Sequence, residues 1–273
     1  MNAPAVPAIA VVTAEPPAPG ARLLAPLGAA SGLGSVANLH IAGGRIVETL
    51  CEIETGQPAA IIEPSAQAPL RLTYRFVLPT EAPRYPEAAF APRANRYTRA
   101  AAELLAASRR IAAEAGGGRN AIDALVAEAR ARFTYDHSEI RFNDRLDEVP
   151  LLGCGLMPGS CVDINTYLVA SLRAAGFEAA YVYGYFFPAE KGDWTDDMHC
   201  WVATRHGGEV LEWDIAHHIK AGHARVLPGL NPRPGRRALI GHSMGHRYDA
   251  RSGPIKVKLL AEPVWLMEDD AVA

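Results

Sequence analysis

The stretch Pro158–Gly176, "PGSCVDINTYLVASLRAAG", decides how the chain is read. Pro158 and Gly159 close an irregular run. Ser160 is a good helix N-cap, and Asp163 three residues later suits a capping box, in which each end residue satisfies a backbone N–H of the other. Ile164, Leu168 and Leu172 recur at four-residue spacing, one stripe of a helix, and Gly176 fits the C-terminal stop. Cys161 then occupies the first helical position. There the unpaired N–H groups and the positive end of the helix dipole favour thiolate over thiol. The same N–H groups can hold an oxyanion forming on an attacked carbonyl. A small buried packing residue is the alternative reading of this cysteine.

Downstream, "EAAYVYGYFF" (178–187) reads as a strand, and "HCWVATRHGGEVLEWDI" (199–215) as a hairpin turning at Gly207-Gly208. His199 opens the first hairpin strand and Asp214 lies on the second, so the pairing can make them neighbours. A cysteine nucleophile needs a base, and the base needs an orienting group. His199 can take the thiol proton and return it to a leaving amine, while Asp214 holds the ring. Taken singly, His199 reads as an ordinary histidine and Asp214 as a solvated carboxylate. Their joint arrival downstream of a helix-capping cysteine points to chemistry. Tyr185 and Trp194 flank the segment before His199 and are candidates for lining a substrate cleft, with aromatic packing as the other reading. Cys200, one residue from His199, points to the opposite strand face and reads as packing.

Upstream, "NAIDALVAEARARF" (120–133) is helical, with Asn120 as its expected N-cap and a stripe through Ile122, Leu125, Val126, Ala129 and Phe133. "RYTRAAAELLAASRRIAAEAGGG" (96–118) is a second helix ending at three glycines. The stretch 134–159 reads as a long loop, a length that is often functional. "RLTYRFVL" (71–78) alternates Leu72, Tyr74, Phe76 and Leu78 against Arg71, Thr73 and Arg75, a half-buried strand. "GRIVETLCEIE" (44–54) is a less regular strand, and 79–93 a proline-punctuated connection. Residues 1–34, rich in Pro, Gly and Ala, are expected to be an irregular leader. Strands are expected in 238–249 and 254–266.

The 273 residues are 49% hydrophobic and 21% charged, ordinary for a globular protein with a sizeable core. A formal net charge of −3 gives no reason to expect nucleic acid or an anionic membrane as partner. No apolar run approaches a membrane span, and no Lys or Arg precedes Arg22 to start a secretory signal. Four cysteines (Cys51, Cys154, Cys161, Cys200) in so long a chain do not suggest a disulfide framework, so a reducing cytoplasm is expected. No nucleotide or flavin pattern calls for a cofactor. His217, His218 and His223 cluster, and "HSMGH" places His242 and His246 four apart, so both stretches are candidates for a metal site. A metallopeptidase helix carries Glu after its first His, where this chain has Ser243, and the glycines oppose a helix. Those histidines are read as surface or loop residues, and no metal is expected.

Residues 158–215 resemble the core of the transglutaminase-like superfamily. The pattern is carried by Gly159 and Cys161, an "LRAxG" element at Leu172–Gly176, Gly184-Tyr185, His199-x-Trp201 and Asp214, with spacings of 38 residues from Cys161 to His199 and 15 from His199 to Asp214. The lead-in "ARARFTY" (129–135) is similar to the segment before the family's catalytic loop. The resemblance implies a Cys–His–Asp triad of Cys161, His199 and Asp214. It implies an α+β, papain/transglutaminase-like core in which the nucleophile helix packs on an antiparallel sheet. Ahead of this core, over 91–273, a small β-containing region is expected at 35–90.

The function expected from this is a cysteine-nucleophile amide or peptide hydrolase working through a thioester, like the bacterial peptidases of the family. Transfer to an amine, or a non-catalytic binding module on the same fold, are the alternatives. The expected partner is a peptide, protein or small amide substrate.

Overall fold

The computed structural model describes residues 7–28, 38–77, 85–137, 142–153 and 156–267. The chain opens with β1 (Pro7–Ala14), β2 (Arg22–Pro26), β3 (Asn38–Ala42), β4 (Gly44–Cys51), β5 (Pro58–Pro64) and β6 (Leu70–Val77). β6 alternates as expected, with Leu72, Tyr74 and Phe76 buried and Arg71 and Arg75 exposed; Leu78 lies outside the described residues. β4 carries a bulge between Ile46 and Glu48, which accounts for its imperfect pattern.

The expectation of an irregular leader over 1–34 is corrected, because β1 and β2 lie inside it. In β2, Leu23, Leu24 and Ala25 are all buried, so the strand is covered on both faces and shows no alternation. β1 pairs antiparallel with β6 and parallel with a strand near residue 194, partners that leave no local mark in its sequence.

Next come α1 (Glu87–Phe90), α2 (Ala102–Glu114), α3 (Gly118–Arg132), β7 (Phe133–Tyr135), β8 (Met157–Gly159) and α4 (Cys161–Ala174). α3 starts three residues earlier than expected. Its N-cap is Gly117, with no side-chain cap, and Asn120 sits in the first turn. The predicted stripe Ile122, Leu125, Val126, Ala129 and Phe133 is buried. The expected long loop is pinned at its ends, since β7 and β8 pair in parallel with Tyr135 opposite Gly159. Residues 138–141 and 154–155 of it, including Cys154, lie outside the described residues.

The remaining elements are β9 (Glu178–Pro188), β10 (Trp194–Thr195), β11 (Met198–His206), β12 (Glu209–Trp213), α5 (Ile215–Lys220), β13 (Gly235–His242), β14 (His246–Ala250), β15 (Gly253–Val257) and β16 (Val264–Leu266). The hairpin β11–β12 pairs Val202 with Trp213 and His206 with Glu209.

The chain divides into two units: residues 1–88, 183–199 and 235–273 form one, and 89–182 and 200–234 the other. This differs from the three consecutive blocks expected from the sequence. The division falls inside β9 and β11, strands of the sheet ordered β12-β11-β9-β13. The first unit contains the sheets β10-β1-β6-β3 and β16-β2-β5-β4 and the ribbon β14-β15. One core there gathers Leu24, Leu50, Ile61, Tyr248, Ile255 and Leu266. Gly184 shows how tightly its strands approach: a Cβ at this position would meet the Ala238 carbonyl oxygen at 1.8 Å. In the second unit α4 is the central helix, packed by α2, α3 and α5. Its residues are buried all round apart from Arg173, so the Ile164–Leu168–Leu172 stripe is one of several buried faces.

The architecture is α+β, mixed helix and mainly antiparallel sheet, as expected. Among the described residues no helix is long and apolar enough to cross a membrane.

Candidate active site

The cap at the start of α4 forms as the sequence suggests. Ser160 Oγ accepts from the Val162 N–H at 3.2 Å, and Asp163 Oδ2 accepts from both the Ser160 N–H and the Ser160 hydroxyl at 2.9 Å. Cys161 is the first helical residue, 5% exposed. Gly159 completes the approach, because a Cβ there would sit 2.8 Å from the Phe133 ring and 3.1 Å from Asp163 Cβ. The strand pair β7–β8 thus sets the entry into the helix, and the capping box fixes its first turn. Ser160→Ala is expected to cost about 1 kcal/mol, the usual worth of a cap, and to lower the melting temperature by about 2–4 °C in thermal denaturation.

Asp214 ends the hairpin and caps α5. Its carboxylate accepts from the His217 N–H at 3.1 Å, and His217 Nδ1 lies 3.1 Å from Asp214 Oδ2. His217 Nδ1 is also 2.8 Å from Asn231 Oδ1, an oxygen that accepts from the Arg233 N–H at 3.1 Å. Both neighbours of Nδ1 are therefore acceptors. The ring carries its proton on Nδ1. His199 is the second residue of β11, and His199, Asp214 and His217 are all buried. The Asp214 carboxylate can orient and charge the His217 imidazole.

His217 was not singled out as a partner of Asp214 from the sequence. The signal was present: it stands three residues after a capping aspartate, where its own N–H must meet that side chain. The surface or loop reading of the histidines is corrected for four of them, since His217, His218, His242 and His246 are buried. His218 is held structurally, with Nδ1 at 2.7 Å from the Asp214 carbonyl and Nε2 accepting from the Leu227 N–H at 3.2 Å. His223 is exposed. His242 and His246 end β13 and begin β14 rather than sharing a helix, as the flanking glycines foretold.

Of the two aromatic candidates, Tyr185 takes the packing reading. It is fully buried, with ring centroids 6.0 Å from Tyr74 and 5.9 Å from Phe76. Burial, with a further push from Glu262, raises its phenol above the ordinary range. Trp194 is 52% exposed, with Lys191 Nζ 5.1 Å from its ring centre.

Two further residues near the nucleophile went unnoticed in the sequence. The Tyr181 hydroxyl is fully buried, and burial first, then the neighbouring Cys200, Cys161 and Asp163, pushes its pKa well above the usual phenol value. It stays a neutral phenol beside the buried Cys200 side chain. Cys200 therefore packs inside, as expected, but against a group that also feels Cys161. Asn165, one helical turn after Cys161, is 1% exposed, and its amide makes no hydrogen bond to the described residues. A buried amide left in that state is uncommon and is satisfied by water or ligand.

Residues 106–213 match the family model described as "Transglutaminase-like superfamily". The matched range runs from within α2 to the end of β12, so it contains Cys161 and His199 and stops one residue before Asp214. Among solved structures, a protein described as a "Putative Cysteine Protease" from Cytophaga hutchinsonii is similar at 10% identity and a TM-score of 0.44, covering 97% of this chain and 91% of its own. A "putative protease" from Parabacteroides distasonis is similar at 12% identity and a TM-score of 0.31, covering 70% of this chain and 39% of its own. Both likenesses are too distant to bear on activity. No curated protein matches the sequence. The match to the transglutaminase-like superfamily over 106–213 thus takes in the capped helix that opens on Cys161.

Proposed function

We propose that the protein is a cysteine-nucleophile amide hydrolase with Cys161 as nucleophile, His199 as base and acid, and Asp214 as the group that orients His199. The observation that carries this reading is Cys161 at the capped start of α4, inside the segment matched to the transglutaminase-like superfamily. The burial of His199 and of Asp214, at the 38- and 15-residue spacings of the family pattern, supports the rest.

In the proposed reaction His199 takes the Cys161 proton and the sulfur attacks the amide carbon. Backbone N–H groups at the start of α4 hold the oxyanion. The C–N bond then breaks, the amine leaves with the proton from His199, and a thioester remains. Water, deprotonated by His199, attacks the thioester, releases the acid and restores the thiol. Each step balances with water as the co-reactant, and no cofactor enters.

Turnover of a peptide library in ¹⁸O-labelled water tests the acceptor. One labelled oxygen in each new carboxylate is the expected result. Amide products from an added primary amine, without labelled acid, would replace hydrolysis by amine transfer.

Iodoacetamide is expected to abolish turnover and chelators to spare it, as a cysteine nucleophile requires.

A further inference from the structure

Asn165 stands four residues after Cys161 on α4. Helix side chains lean toward the N-terminus, so the side chain at i+4 lies over the turn that holds residue i, with about 5–6 Å between the two Cβ atoms. The Asn165 amide is thereby aimed at the Cys161 side chain. We propose that Asn165 is a positioning residue for Cys161, its Nδ2–H holding one water that donates a hydrogen bond to the sulfur when it is a thiolate. The inference rests on the nucleophile role proposed above for Cys161.

The unused amide carries the argument. Every hydroxyl of α4 and its cap is bonded within the protein. Ser160 Oγ accepts from the Val162 N–H at 3.2 Å, and the Thr166 hydroxyl donates to the Val162 carbonyl at 2.7 Å. The Ser171 hydroxyl donates to the Tyr167 carbonyl at 2.9 Å, and that of Tyr167 to Glu128 at 3.1 Å. Asn165 is as buried as these, yet neither its Nδ2 nor its Oδ1 has a partner among the described residues. Asn is also a weaker helix former than Leu, and an unbonded buried amide costs stability. A position that breaks local rules without structural return marks function. Two hydrogen bonds in series through a water fit the distance between the two side chains, and a polar group on each side is what a buried water requires.

The neighbouring charges call for such a donor. The titratable groups gathered at the Tyr181 hydroxyl are Cys161, Cys200 of β11 and Asp163 of α4. Tyr181 and Cys200 are neutral or anionic, so neither offers positive charge to a thiolate, and Asp163 opposes one. In the proposed reaction His199 becomes cationic only by taking the Cys161 proton. Neutral donors therefore steady the sulfur: the first N–H groups of α4 and, through water, Asn165.

Alkylation of Cys161 by iodoacetamide as a function of pH, read by mass on the peptide that carries this residue, tests the proposal on the full chain. The parent is expected to react with a midpoint below the ordinary thiol value of about 8.5. Asn165→Leu, which keeps the branched shape and removes the amide, is expected to raise that midpoint by about one pH unit. Its alkylation is then about tenfold slower on the acid side and equal to the parent's once the thiolate is fully formed. Asn165→Ala, which cannot overpack the position, is expected to do the same and carries the test should Asn165→Leu fail to fold. An unmoved midpoint in a folded variant, or a rate lowered by one factor at every pH, would overturn the role of Asn165 and leave the nucleophile reading standing. A parent midpoint at the ordinary thiol value would overturn the nucleophile reading and this inference with it.

Discussion

Cys161→Ala is expected to lower amide turnover by at least about 10⁴-fold, because removal of a covalent nucleophile leaves only binding and oxyanion stabilisation. The fold is expected to survive. The substitution removes one sulfur from a nearly buried position, worth about 1 kcal/mol, while Ser160 and Asp163 keep the helix start intact. Circular dichroism and a melting temperature within a few degrees of the parent would establish that the loss is chemical. His199→Ala should cost a similar factor, and the double variant little more, since a nucleophile and its base act as one unit. Asp214→Asn is the subtler case. Asp214 also caps α5 and faces His217, so its loss should show in both rate and stability. Turnover that survives in Cys161→Ala would refute the cysteine mechanism.

The sequence and structure agree where local physics sets the outcome. The cap at Ser160, the alternation of β6 and the Gly207-Gly208 hairpin were legible because each depends on residues a few positions apart. Other features depend on distant partners. β2 is buried on both faces and carries no period, so Leu23 and Leu24 read as leader. The first unit gathers β1–β6 with residues 183–199 and 235–273, a closure that no local pattern announces. The site follows the same division. Cys161 is marked by its cap, and His199 and Asp214 by a short hairpin. Tyr181 meets Cys200 and Cys161 only through folding.

Glu52→Gln is expected to be the most costly substitution of the first unit's polar network, at about 3 kcal/mol near pH 7, the range for unpairing a buried charged group. That is a large share of a typical total of about 5–15 kcal/mol. Glu52 is 2% exposed. Burial alone would raise its pKa. His246 and the donors of Arg247 and Thr55 more than offset this and hold the carboxyl below the usual carboxylate range. The Arg247 N–H donates to Oε1 at 3.0 Å, and the Thr55 N–H and hydroxyl donate to Oε2 at 2.6 and 2.7 Å. His246 Nδ1 lies 4.0 Å from Oε1. Behind it, Gln57 Nε2 donates to the Leu260 carbonyl, so its Oε1 accepts from the Tyr183 hydroxyl at 2.7 Å. The Tyr183 oxygen then accepts from His246 Nε2 at 3.0 Å, which places a proton on that nitrogen. A neutral amide in place of the carboxylate presents an N–H₂ to one set of these donors. A carboxylate whose folded pKa is depressed contributes stability that is complete above its unfolded value, about 4.5, and is lost as pH falls below it toward the folded value. The gap between parent and Glu52→Gln should therefore be widest at pH 6–7 and narrow progressively below about pH 4.5. Urea unfolding at pH 7, 5, 4 and 3 reads this directly; a gap that is constant across the series would show that Glu52 contributes through packing and not through its charge.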